Sequence, residues 1–213
     1  EITTGDWSSD VCSSDLSIET GVGGRVYQIW KQQQACSCGV ASAWMARGIA
    51  RQASFAEEEW DLATRIYTNA VNATLAGAAS VPSAPQSIDP RAFRTVPQDQ
   101  IQSTFSSNFS RGGLTGSQLV NALRGEGLRA ELYSNNGAPC SVIHSKIAYN
   151  KPAISFVSWQ NGGAHFIVVG RCTANHVTFL DPWTGHIREQ PNDGRFRGGY
   201  NTGTILLNIY VSA

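Results

Sequence analysis

The order of segments along the 213-residue chain predicts an α+β protein, helices first and sheet last. Three observations carry that reading. Cys38 to Ala50 is Ala-rich with no charge before Arg47, a pattern that suits a helix buried nearly all round. LTGSQLVNALRGEG has helical spacing and ends on Gly125 and Gly127. From Pro152 onward the composition turns to strand, with PAISFVSW, HFIVVGRC, HVTFLDPW and TILLNIYV in succession.

The remaining elements follow in chain order. Residues 17 to 35 read as a Gly-containing lead whose apolar run, Val26 to Trp30, is an extended segment entering a loop. Ser54 and Glu57 have the spacing of a capping box opening the helix SFAEEEWDLATRIY, whose acidic first turn suits the helix dipole. Residues 68 to 98, rich in Ala, Asn, Ser and Pro, read as a long connection. LRAELYS follows the Gly125 helix as a strand, and SVIHSKIAYN is a short amphipathic helix stopped before Pro152.

Residues 1 to 16 stand apart. They are Ser- and Asp-rich, lack apolar periodicity and carry no Lys or Arg. Gly5 to Leu16 resembles the translation of a common short-read sequencing adapter, whose codons read DWSSDVCSSDL, so this stretch is expected not to be native and is set outside fold reasoning. Residues 17–213 then form one domain. The formal net charge of zero from 16 basic and 16 acidic residues is altered by that division, because Glu1, Asp6, Asp10 and Asp15 fall in the stretch and leave 16 bases against 12 acids. The basic residues are scattered, which argues against a nucleic-acid surface. The apolar runs are too short for a membrane span. Cys12 leaves the cysteine count with the stretch, and the true N-terminus, with any secretion signal, is expected to be missing. Localisation is therefore open, with secretion compatible.

Cys38 is the informative cysteine. It stands where a polar, Gln-rich loop gives way to the buried helix, and unpaired N–H groups at a helix N-terminus stabilise a thiolate. Gln32, six residues upstream, has an amide able to fold back and donate to an oxyanion. A small buried hydrophobe is the alternative role for Cys38. A nucleophilic thiol needs a histidine base and a group that orients it. Of the four histidines, His165 opens a strand after Gly162-Gly163-Ala164, at a sheet rim. His176 and His186 read as surface residues, and His144 as a core or surface residue of the short helix. If HFIVVGRC and HVTFLDPW form a hairpin centred on Thr173, Asp181 stands directly across from His165, with Cβ atoms about 5 Å apart. A one-residue slip would send the two to opposite faces.

Gln32-(five residues)-Cys38-Gly-Val-Ala-Ser-Ala, Lys151-Pro-Ala-Ile, Gly163-Ala-His165-Phe-Ile-Val-Val-Gly and Val177-Thr-Phe-Leu-Asp181-Pro-Trp-x-Gly together resemble bacterial papain-like cysteine peptidases. The chain is most similar to the branch holding double-glycine leader peptidase domains and papain-like effector proteases. The resemblance implies a papain-like cysteine protease fold, with a helical half at roughly 26–135 packed against an antiparallel sheet half at roughly 150–213. It implies Cys38 as nucleophile, His165 as base then acid, Asp181 orienting it, and Gln32 with the Cys38 backbone N–H as oxyanion hole. Trp159, Gly163 and Trp183 are candidate substrate-binding residues. The implied partner is a peptide or protein, the implied state a monomer, and no cofactor or metal is called for. Gln33 and Gln34 adjoin Gln32 and are rivals for its role, as Cys36 is for that of Cys38.

Other readings stay open. Cys36-Ser-Cys38 with Cys140 and Cys172 fits zinc spacing poorly. Disulfides among Cys36, Cys140 and Cys172 suit an exported protein. A non-catalytic peptide-binding module, or a thiol acyltransferase, can use the same fold.

Overall fold

The structure is a computed structural model that describes residues 15–54, 57, 59, 61–66, 113–134, 147, 150–199 and 201–213. The connection expected at 68 to 98, His144 with most of its short helix, and Cys140 lie outside the described residues.

Two strands, β1 (Leu16–Thr20) and β2 (Val26–Trp30), form an antiparallel ribbon that leads into helix α1 (Cys38–Arg51). Val26 to Trp30 was expected to be extended, whereas β1, whose apolar residues Leu16 and Ile18 are exposed, was not anticipated. Helix α2 (Gly116–Gly125) begins at Thr115, whose side chain accepts from the Gln118 backbone N–H while the Gln118 side chain accepts from that of Thr115. That reciprocal pair is a capping box, and the helix stops at the expected glycines. The box expected at Ser54 is not formed. Ser54 Oγ accepts from the Gln28 amide at 2.6 Å, and Glu57 instead meets Arg65 Nη2 at 2.5 Å and Arg47. Arg47 is buried, so its charge is matched by Glu57 and by Glu126 Oε2 at 2.6 Å, which tie α1 to the end of α2.

Among the described residues the main sheet has seven strands, all paired antiparallel. They are β3 (Arg129–Ser134), β4 (Ala153–Trp159), β5 (Ala164–Cys172), β6 (His176–Asp181), β7 (His186–Pro191), β8 (Arg195–Gly198) and β9 (Asn201–Ser212). Their order is β3-β9-β4-β5-β6-β7, with β8 also paired to β9. The last strand in sequence therefore lies inside the sheet, between β3 and β4. Short polar β7 and β8 were not anticipated, because HIREQP and RFRG have little apolar patterning.

Both faces of the sheet are covered near its centre. Ile154, Phe166, Val168, Leu180 and Ile209 join a core with the apolar sides of α1 and α2, including Val40, Trp44, Leu119 and Leu123. Ile167, Val169, Val177, Phe179, Phe196 and Ile205 form a second core. That accounts for the unbroken apolar run in β5: residues 166 and 168 serve one core, 167 and 169 the other. Among the described residues α1 and α2 pack on an antiparallel sheet, and no helix is long and apolar enough to cross a membrane.

Candidate active site

Cys38 is the first residue of α1. The preceding turn is drawn tight by Ser37, whose hydroxyl donates to Gln34 O and accepts from Gln34 N, both at 3.1 Å. Beneath the turn lies Glu59, 1% exposed, whose Oε2 accepts from the Gln33 N–H at 2.7 Å. Burial pushes the Glu59 carboxyl up to about 8, against the opposing hydrogen bonds of Ser37 and Gln33, so it is largely protonated at neutral pH. The bonds of the first helical turn begin with Val40 and Ala41 donating to Ser37 O, at 2.9 and 3.1 Å. The first N–H groups of a helix have no intrahelical acceptor, and that of Cys38 is one of them.

His165 stands near the start of β5, 5% exposed, and Asp181 ends β6, 2% exposed. Their side chains meet, with Nε2 of His165 2.9 Å from Oδ1 of Asp181. The register differs from a hairpin centred on Thr173. Thr173 N–H donates to His176 O at 2.8 Å, so the turn centres between residues 174 and 175, and the first pairs are Cys172 with Val177 and Arg171 with Thr178. A bulge at Gly170 then shifts the register, giving Val169 with Phe179 and Val168 with Leu180. Continued to the strand end, this places Asp181 beside residue 167, one diagonal step from His165. A shift of two keeps both side chains on one face, and a diagonal pair stays within reach of a long side chain.

The two groups shape each other's titration. Burial acts to lower the His165 pKa, but hydrogen bonds to Asp181 and Cys38, with their charges, outweigh it and raise the imidazole to about 9. Burial acts to raise the Asp181 carboxyl, and the His165 contact, with the Trp183 N–H and Arg188, holds it below its usual range. Since Nε2 is engaged by Asp181, Nδ1 is the ring nitrogen left for the Cys38 sulfur.

A cavity of about 980 Å³ joins these elements. Cys36, Cys38, Leu114 and Gly116 line it from the helical side; Phe156, Gly163, His165, Phe166 and Leu207 line it from the sheet. Trp159 lies nearly parallel to the His165 ring, with centroids 5.9 Å apart at 18°, and exposed Trp183 meets the same ring edge-on at 6.5 Å. Gly203 makes room for Trp159: a Cβ there would come within 2.9 Å of its indole and 2.3 Å of Val157. Cys36, intermediate in exposure, is a free thiol like Cys38.

Gln32 departs from expectation. Its backbone N–H donates to Pro182 O at 2.7 Å, which joins its loop to the Asp181 turn, but its amide nitrogen donates to Gln34 O at 2.7 Å and Ala35 O at 3.1 Å. Both amide hydrogens are thus engaged within the loop, because the turn aims those two carbonyls back at residue 32. His186, expected on the surface, is exposed and opens β7, where it pairs with Glu19. Two residues beside Asp181 were missed: Thr184 Oγ1 and Arg188 Nε each donate to Oδ2 at 3.1 Å. The Asp-Pro-Trp-Thr turn was a usable signal for Thr184. Arg188 had none, since β7 itself was not foreseen.

Comparison with known proteins gives a family match. Residues 94–209 match the model of the Peptidase C39 family, an interval that contains His165 and Asp181 and begins after Cys38. No curated protein matches the chain. Because the match spans more than half of the chain, and its sheet holds a buried histidine on a carboxylate at the edge of a cavity, the protein belongs to the Peptidase C39 family of cysteine peptidases.

Proposed function

We propose that the protein hydrolyses peptide bonds by a Cys38–His165–Asp181 triad, within a papain-like arrangement of the helical half around α1 and the sheet half carrying β5 and β6. The observation that supports this most is the His165 ring, which bonds Asp181 at 2.9 Å and lines one cavity with Cys38 at the start of α1. In the resting enzyme the imidazole holds the proton and the sulfur attacks an amide carbonyl. The tetrahedral oxyanion takes donors from the Cys38 backbone N–H and from Gln32, whose amide exchanges its loop carbonyls for the oxyanion when substrate enters. His165 then protonates the leaving amine, and water activated by the same ring releases the acyl group from sulfur. Asp181 fixes the ring so that its second nitrogen faces the thiol. Trp159, Gly163 and Trp183 contact the bound peptide.

The test is a peptide-library digest by purified protein beside Cys38→Ala, with mass spectrometry after iodoacetamide treatment near pH 6. Cleavage by the wild type alone, and alkylation of Cys38 in preference to Cys36 and Cys172, is the expected result. Full cleavage by Cys38→Ala overturns the assignment. An inert thiol with retained peptide binding marks a binding module instead.

A further inference from the structure

Asp181 is more completely bound than its pairing with His165 requires. A carboxylate offers about four acceptor sites. All four are taken: Oδ1 by His165 Nε2 at 2.9 Å and Trp183 N–H at 3.0 Å, Oδ2 by Thr184 Oγ1 and Arg188 Nε, each at 3.1 Å. Of these donors only Arg188 carries a charge that does not change during turnover. When His165 passes its proton to the leaving group, Asp181 becomes a buried anion without its cationic partner, a costly state unless another cation stands beside it.

From this geometry we infer that Arg188 is a positioning residue of the active site, which holds Asp181 ionised and aimed at His165 through the part of the cycle in which the imidazole is neutral. The inference rests on the triad reading above. Arg188 arrives by the same diagonal relation as His165, but from the other side. Asp181 pairs directly with His186 on β7, and Arg188, two residues further along, reaches back to the carboxylate. Its side chain is 29% exposed and lines the cavity, so the guanidinium spans from the buried carboxylate to the cleft. The charged and titratable groups facing Asp181 among the described residues are His165 from β5 and Arg188 from β7, with Cys38 of α1 beyond the imidazole.

The sign of one titration separates positioning from mere proximity of charge. If Arg188 only adds positive potential, its removal raises the pKa of His165. If it holds Asp181 in place, its removal frees the carboxylate and lowers that pKa. The experiment is an NMR titration of the His165 ring protons in wild type and Arg188→Leu, with thermal melting to verify folding. The expected result is a downward shift of about one pH unit in the variant, with a slower reaction of Cys38 with iodoacetamide at pH 6. An unchanged or raised His165 pKa overturns the inference. Arg188→Lys, which keeps the charge and loses the planar donor, is read the same way if the leucine variant does not fold, with a smaller downward shift expected and no shift or an upward one overturning it. Peptide cleavage by Cys38→Ala would overturn the triad reading while leaving this titration interpretable.

Discussion

His165 and Asp181 are joined diagonally across the β5–β6 ladder, and a bulge at Gly170 is what puts them on the same face. The turn at residues 173–176 alone would set Asp181 opposite Val168, whose side chain lies in the core under α1. His165, an odd number of residues from Val168, would then point to the other face. The one-residue shift between Val169 and Arg171 restores the match. It also explains why the far nitrogen of the imidazole makes the 2.9 Å contact, since a diagonal partner is reached only by the end of the side chain.

Gly170 is thus predicted to tolerate no side chain. A Cβ there would stand 2.6 Å from the Tyr27 ring and 2.8 Å from Leu180. Gly170→Ala is expected to lower stability by about 1–3 kcal/mol through overpacking, measured by urea unfolding. A larger proportional loss of peptidase rate, assayed on the folded fraction, is expected because the bulge sets the face that His165 shares with Asp181.

Asp181→Asn keeps the shape of the side chain and removes its charge. The amide presents an N–H where the imidazole needs an acceptor, so the ring loses its orientation. On the proposed triad, a fall in kcat of about 10²–10⁴-fold is expected, with KM little changed in steady-state assays. A fall of less than tenfold would show that His165 is held well enough by its aromatic neighbours.

The pH behaviour follows from His165. Its folded pKa, about 9, lies above the ordinary 6.5, so its stabilising contribution is full below about 6.5 and is lost as pH rises through about 9. Asp181 is shifted down, and its contribution is present above the usual 3.8 and lost as pH falls through its folded value. Chemical unfolding of wild type at pH 6 and pH 10 should show the loss, and His165→Gln should flatten it. The peptidase rate should fall over the same alkaline range, where the imidazole no longer carries a proton for the leaving amine.

Gln32 supplies the last prediction. If its amide turns to the oxyanion in the substrate complex, Gln32→Ala lowers kcat by about 10²–10³-fold, the usual loss for one donor. If its two loop bonds are its whole role, kcat changes by less than about tenfold and thermal stability carries the effect. Steady-state kinetics with a melting curve decide between these.

Much of this site was legible in one dimension because its parts are local. A thiol at a helix start, a histidine at a strand start after two glycines and an Asp-Pro turn are each set by a few neighbouring residues. Helix α1 was readable because an Ala-rich run with no charge from Cys38 to Ala46 has few other stable uses. Strands β7 and β8 were not, since they are polar and depend on partners for their form. The capping box expected at Ser54 failed for the same reason: Glu57 finds stronger partners in Arg47 and Arg65, which no local pattern reveals.

The chain by itself determined that helices precede the main sheet, which residues carry reactive groups, and that His165 and Asp181 lie on neighbouring strands. Tertiary structure decided the rest. It inserted β9 between β3 and β4, moved the hairpin register by two residues, turned the Gln32 amide onto its own loop and brought Arg188 to Asp181. Helix starts and apolar faces follow from interactions between near neighbours in sequence. Register, bulges and the partners of buried charges instead depend on which distant strands compete for the same hydrogen bonds, and that competition is resolved only in the packed sheet.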